Sequence, residues 1–141
     1  MTVEQATPRS RVDLLSAPAL VGAAGLAGAM VLHLRDPHGQ GTYGFCPFLV
    51  LTGHPCAGCG GLRAVNDLTN GDLVGAVSSN ALAVVLVGVV GVTWLLWAIR
   101  RWRGDGGPMI RVNERIGVIV VVVFVVFGIV RNTPWGAWLA P

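Results

Sequence analysis

Charge is scarce in this chain. Only 12% of its 141 residues are charged, about half the share a soluble domain carries, while 53% are apolar. So little charge cannot solvate a free globular surface, which argues against an ordinary soluble domain and points to the bilayer as solvent. Lysine is absent, so every basic side chain other than histidine is an arginine. The net charge of +3 does not indicate nucleic acid, because the arginines sit beside apolar runs and no aromatic residues interleave with them. They read as charge that orients a chain in a membrane. Cysteine is also sparse: three residues are too few for a disulfide scaffold, and the length leaves room for one domain.

What is present is a set of long apolar runs separated by short polar stretches. They predict an all-α integral membrane protein with three transmembrane helices and a short interfacial helix after a Cys-containing loop. Residues 1–16 form a polar cytoplasmic arm, and residues 17–34 an Ala- and Gly-rich first span long enough to cross, longer than the core of a cleaved signal peptide. Pro37 ends that helix and opens a loop over residues 35–72. His33 and His38 flank the membrane edge, with their imidazoles expected in water. Within the loop, Leu62, Val65 and Leu68 recur at helical spacing and predict a short helix over about 60–71, its apolar side toward lipid or neighbouring helices and Gly71 as its stop. Asp72 is an N-cap for the second span, residues 73–99, which carries Ser78, Ser79 and Asn80 in its first third. Those three residues either form an interfacial first turn, with the true span starting at Ala81, or face protein and water for a functional reason. Trp94, Trp97 and Trp102 mark the far end as an aromatic belt. Residues 100–115 form an Arg-rich loop, 116–131 a third, β-branched span, and 132–141 a tail with Trp135 and Trp138 as interfacial anchors.

Arginine placement sets the topology. The loop after the second span holds Arg100, Arg101, Arg103, Arg111 and Arg115, whereas the longer first loop holds only Arg35 and Arg63. The positive-inside rule puts the Arg-rich loop and the N-terminal arm in the cytoplasm. The cysteine loop and the tail then share the extracytoplasmic face of a multi-pass cell-membrane protein, where disulfides persist.

All three cysteines lie within residues 46–63, C-P-F-L-V-L-T-G-H-P-C-A-G-C-G-G-L-R. Cys56 and Cys59 form a C-x-x-C just before the predicted short helix, where unpaired amides and the helix dipole stabilise thiolate. Thiolate both ligates metal and attacks disulfides, so three readings stand. The first is a zinc site of Cys46, Cys56 and Cys59 with His54 as fourth ligand. The second is a membrane thiol-disulfide oxidoreductase with Cys56 as nucleophile, Cys59 as resolver and Cys46 as relay, which would need an electron acceptor such as quinone. The third is a structural disulfide with one buried thiol, worth roughly 2–3 kcal/mol for a loop this short. Arg63, Asn80, Arg131 and Asn132 fall on the same side of the membrane. Arg63 is either an interfacial arginine or an anion contact at the helix N-terminus, and Arg131 and Asn132 either join it or simply end the last helix.

At these residues the chain resembles a family of small bacterial membrane proteins catalogued as domain of unknown function twenty-seven fifty-two. The shared features are Cys46-Pro47, Gly53, Cys56, Gly58-Cys59-Gly60, Arg63-Ala64, Gly71-Asp72 and Asn80. Ala57 and Leu62 stand where the family has proline and threonine, and Ala81 where it has the proline after the asparagine. The resemblance implies a membrane location and a shared cysteine loop, and it implies no activity. The expected function is a non-enzymatic membrane module whose cysteine loop, held by metal or disulfide, docks a membrane-protein partner or a second copy, with lipid as its other partner. The alternatives are the oxidoreductase and, from the polar residues of the second span, a small channel or transporter subunit.

Overall fold

The computed structural model describes residues 11–39, 43, 45–105, 107 and 114–139. Every regular element among them is helical: α1 (Arg11–Leu34), α2 (Pro47–Thr52), α3 (Gly61–Thr69), α4 (Leu73–Trp102), α5 (Glu114–Val130) and a closing 3₁₀ turn (Ala137–Leu139). Two of them are long and apolar enough to cross a membrane, residues Asp13–Leu34 of α1 and the whole of α4. The third apolar run forms α5, whose 17 residues reach about 26 Å, short of a hydrocarbon core of roughly 30 Å.

Apolar and polar side chains are distributed in the reverse of a soluble fold. The buried residues include Asn66, Asp67, Asn80 and Arg131, while the buried apolar set is Ala64, Ala76 and Leu139. Large aliphatic side chains along α1, α4 and α5 face outward. Such a surface fits contact with hydrocarbon, and the polar groups inside it must satisfy one another.

Several elements differ from the sequence expectation. α1 begins at Arg11, so the polar arm is helical from that residue. Its early proline is tolerated because Pro18 is buried against α4, where its carbonyl accepts from Trp94 Nε1 at 2.9 Å. Trp94 therefore joins α1 to α4 rather than serving in an aromatic belt, and the absence of a side chain at Gly22 makes room for its ring. The brief apolar run after Cys46 is the six-residue helix α2, which ends at Gly53.

α3 packs on α4 and α1. Ala64, Asn66 and Asp67 point inward and Leu62 is exposed. The polar side wins because it meets polar partners. Asn66 Nδ2 donates to Leu32 O at 2.7 Å, occupying a carbonyl in the last turn of α1, and Ser79 Oγ donates to Asp67 Oδ2 at 2.8 Å. The histidines expected in water are engaged as well. His33 Nδ1 lies 3.2 Å from Thr69 Oγ1, and His38 bridges Asp36 (2.6 Å) and Asp67 (3.2 Å). Gly71 ends this segment at φ 80, a left-handed conformation that L side chains rarely adopt.

α4 is two helices in series. Asp72 caps the first by accepting from Gly75 N at 2.8 Å. Asn80 then leaves helical geometry, with φ −166 and ψ 96, and its Oδ1 accepts from Ala83 N at 2.9 Å. Asn80 is thus the N-cap of the apolar segment 81–102. Ser78 only donates to the Gly75 carbonyl and stays exposed.

The α1–α4 joint yields a stability test. A Cβ at Gly22 would come within 2.6 Å of Trp94 Cζ2. Gly22→Val is expected to lower stability by about 1–3 kcal/mol, and Trp94→Phe by about 1 kcal/mol through loss of the bond to Pro18 O. Thermal unfolding in detergent measures both, and an unchanged melting temperature for Gly22→Val would contradict this packing.

Candidate metal centre

The site is built on two short helices and the turn between them. Cys46 precedes α2, and its backbone carbonyl accepts from Val50 N at 3.1 Å. The chain returns through Gly53, and the turn 56–59 closes with Cys59 N donating to Cys56 O at 3.1 Å. Gly60, at φ 79, then admits the chain into α3. These turns bring the three sulfurs together. Cys46 Sγ lies 3.5 Å from Cys56 Sγ, and Cys56 Sγ 3.4 Å from Cys59 Sγ. All three sulfurs lie within 4.8 Å of one another, half-buried, as free thiols.

Distant side chains hold this turn by its carbonyls. Asn80 Nδ2 donates to Ala57 O at 2.9 Å and to Cys59 O at 3.0 Å. Arg131 Nη1 donates to Cys56 O at 2.8 Å and Cys59 O at 3.0 Å, and its Nη2 to Leu139 O at 2.9 Å. Asn132 Nδ2 donates to Pro55 O at 2.9 Å. Four carbonyls of a non-helical segment are thereby satisfied from the α4 kink and the end of α5. Asn80 and Arg131 are each 1% exposed. The reading of Arg131 and Asn132 as a plain helix ending is therefore corrected: both are clamps on the cysteine turn.

The donor set suits a soft divalent ion. Tetrahedral zinc at about 2.3 Å from each sulfur places sulfurs about 3.8 Å apart, a few tenths of an ångström wider than they stand here. His54 does not join them. It is exposed, and its backbone N–H bonds Thr52 Oγ1 at 3.2 Å. The sequence spacing had already crowded it, since a residue two positions from Cys56 must share the ion through a very short chain. Among the described residues, no fourth His, Cys, Asp or Glu completes the group.

The thiols differ electrostatically, and not as the C-x-x-C suggested. Cys46 is lowered to about 7, first by the backbone amide of Leu49 in α2 and then by the Cys59 thiol, although no capping hydrogen bond is formed. Cys59 is pushed up to about 12, first by burial and then by the neighbouring thiols. The helix-start lowering falls on Cys46 through α2, whereas Cys59 is raised. The Arg131 guanidinium stands beside Cys56 and Cys59, its own pKa lowered by burial and raised in part by those two thiols.

The sulfurs border a cavity of about 560 Å³ whose wall also includes Leu49, Leu62 and Arg63. Arg63 Nε donates to Pro37 O at 3.4 Å, so the residue that precedes Ala64 belongs to the cavity and not to open interface. Sequence reasoning missed the pairing of the buried Asp67 with the exposed His38. The available signal was a carboxylate on a helix of an otherwise charge-poor chain, which has to find a partner when it turns inward.

Thiol chemistry checks this geometry. In metal-free protein just above pH 7, Cys46 should be alkylated first and Cys59 last, because thiolate is the reacting form. Timed alkylation with peptide mass mapping reads the order, and Cys59 modified ahead of Cys46 would contradict it.

No curated protein and no solved structure matches the chain. Residues 46–94, running from the first thiol of the cluster to the tryptophan that joins α4 to α1, match the model of the family described as protein of unknown function (DUF2752).

Proposed function

We propose that the protein is a membrane module whose outer loop is folded around a divalent zinc-type ion ligated by Cys46, Cys56 and Cys59. The observation that carries this reading is the convergence of three thiol sulfurs within 4.8 Å on one turn. A site with three soft thiolates favours zinc over the oxygen-seeking cations. Bound there, the ion would supply a fixed positive charge and a Lewis-acidic position, and it would join α2 to the start of α3. The chain's own residues do the rest. Asn80 and Arg131 hold the turn in a ligating shape, and the Arg131 charge offsets the single negative charge left by three thiolates on a divalent ion. That offset matters at a membrane boundary, where uncompensated charge is costly. The surface so ordered serves to dock a membrane-protein partner or a second copy.

The topology belongs to the same reading. α5 is taken as a third span, lengthened by the snorkelling of its flanking arginines. The Arg-rich segment after α4 then lies in the cytoplasm and the cysteine turn outside. Support comes from the clamps: Arg131 and Asn132 at the end of α5 bind the cysteine turn, which requires both to be on one side of the membrane.

Metal analysis of detergent-purified protein is expected to give one zinc per chain. Cys46→Ser, Cys56→Ser and Cys59→Ser should each lose it, and His54→Ala should keep it. Arg131→Lys, which preserves the charge but not the guanidinium fork, should weaken binding about 10–100-fold. Metal-free protein with a reversible Cys56–Cys59 disulfide would overturn the metal reading in favour of thiol exchange. Topology reporters fused near Gly41 and Gly106 should report outside and inside respectively, and an outside signal at Gly106 would overturn the orientation.

A further inference from the structure

Among the described residues three thiols converge where a tetrahedral ion takes four ligands, and all three cysteines line one cavity. The cavity is the space from which a further ligand would reach an ion held there. A structural zinc site is normally closed by a fourth protein ligand, whereas a site that keeps three protein ligands takes an exogenous fourth. The cavity is far larger than one water needs: about 560 Å³ lies within the range of small-molecule sites.

The walls limit what can enter. Leu49, Val50, Phe45 and Leu62 give an apolar lining, and all four are exposed rather than packed in a core. Arg63 contributes the cationic group among them. Its Nε is engaged by the Pro37 carbonyl, which holds the guanidinium in the wall. Asp36, which also feels Arg63, is mostly exposed and already bonded to His38. Three thiolates, one divalent ion and Arg131 sum to zero, so the metal cluster makes no further demand on Arg63, and the guanidinium in the cavity wall favours an anionic over a neutral ligand there.

We infer that the cavity binds a monocarboxylate with a short hydrocarbon tail, its carboxylate held between the cysteine-bound ion and Arg63 and its tail on Leu49, Val50 and Leu62. This rests on the metal reading above and names the ligand class of that site. The carboxylate ligates the ion through one oxygen and accepts from the guanidinium with the other, a charge-assisted arrangement. The tail lies along side chains that otherwise face the outer membrane boundary, so the ligand class is amphiphilic.

The full-length protein loaded with Co²⁺ tests this without any assay of activity. The thiolate-to-cobalt charge-transfer band reports the three-sulfur site, and the visible d–d bands report the fourth ligand. Hexanoate should shift the d–d bands saturably, acetate should need at least about ten times the concentration, and hexanol should leave them unchanged. Arg63→Gln should keep the charge-transfer band, which shows the variant folded, and weaken hexanoate by roughly tenfold or more. Absence of the charge-transfer band in the unmodified protein overturns the metal reading and this inference together. An intact band with no response to hexanoate, an equal response to hexanol, or an unchanged hexanoate affinity in Arg63→Gln overturns this inference alone.

Discussion

Four backbone carbonyls, those of Pro55, Cys56, Ala57 and Cys59, must be satisfied where the chain is neither helix nor strand. Three side chains do this: Asn80, Arg131 and Asn132. Their donors Asn80 and Arg131 are buried, and a polar group left unpaired away from water costs about 1–3 kcal/mol. The rest of the architecture follows from that requirement. α4 breaks at Asn80 because the side chain that binds the turn also caps the segment beyond it. α5 ends where it does because Arg131 must reach the same turn and the closing 3₁₀ segment at once.

This arrangement explains how so small a chain orders a polar site with almost no apolar core. The large buried side chains here are mainly polar, and the large apolar ones are turned outward, an arrangement compatible with a membrane. Packing between helices relies on small residues and on single bonds of high value, such as Trp94 to the Pro18 carbonyl and Asn66 to the Leu32 carbonyl. Dispersion and hydrogen bonding, rather than exclusion of water, hold helices together in hydrocarbon. The inward face of α3 is the direct consequence: Asp67 can be buried because Ser79 and His38 meet it there.

The same clamps connect structure to the proposed chemistry. A thiolate cluster carries negative charge into a poorly solvated region, and the guanidinium that shapes the turn also compensates that charge. The DUF2752 match begins at Cys46 and runs past Asn80, so the matched segment contains the three thiols and one clamp, while the other clamp, Arg131, lies beyond it. In this chain the end of α5 completes a site that the matched segment begins.

The helical class, two helices apolar and long enough to cross a membrane, the approximate extents of α1, α3 and α4 and the cap at Asp72 were all legible in the linear order of residues. Length, hydropathy and capping chemistry are local properties, and neighbours along the chain suffice to express them. The sequence left open whether Asn80 lay in an interfacial first turn or faced protein and water, left open whether the apolar side of α3 meets lipid or other helices, and placed His54 among the ligands. It also assigned thiolate character to the C-x-x-C when burial raises Cys59 and the amides of α2 lower Cys46. Each of those outcomes depends on what stands opposite a group in space, about 75 residues away for Arg131 and the cysteine turn. Partners at that separation leave no periodicity or spacing to read, so only the tertiary structure could decide them.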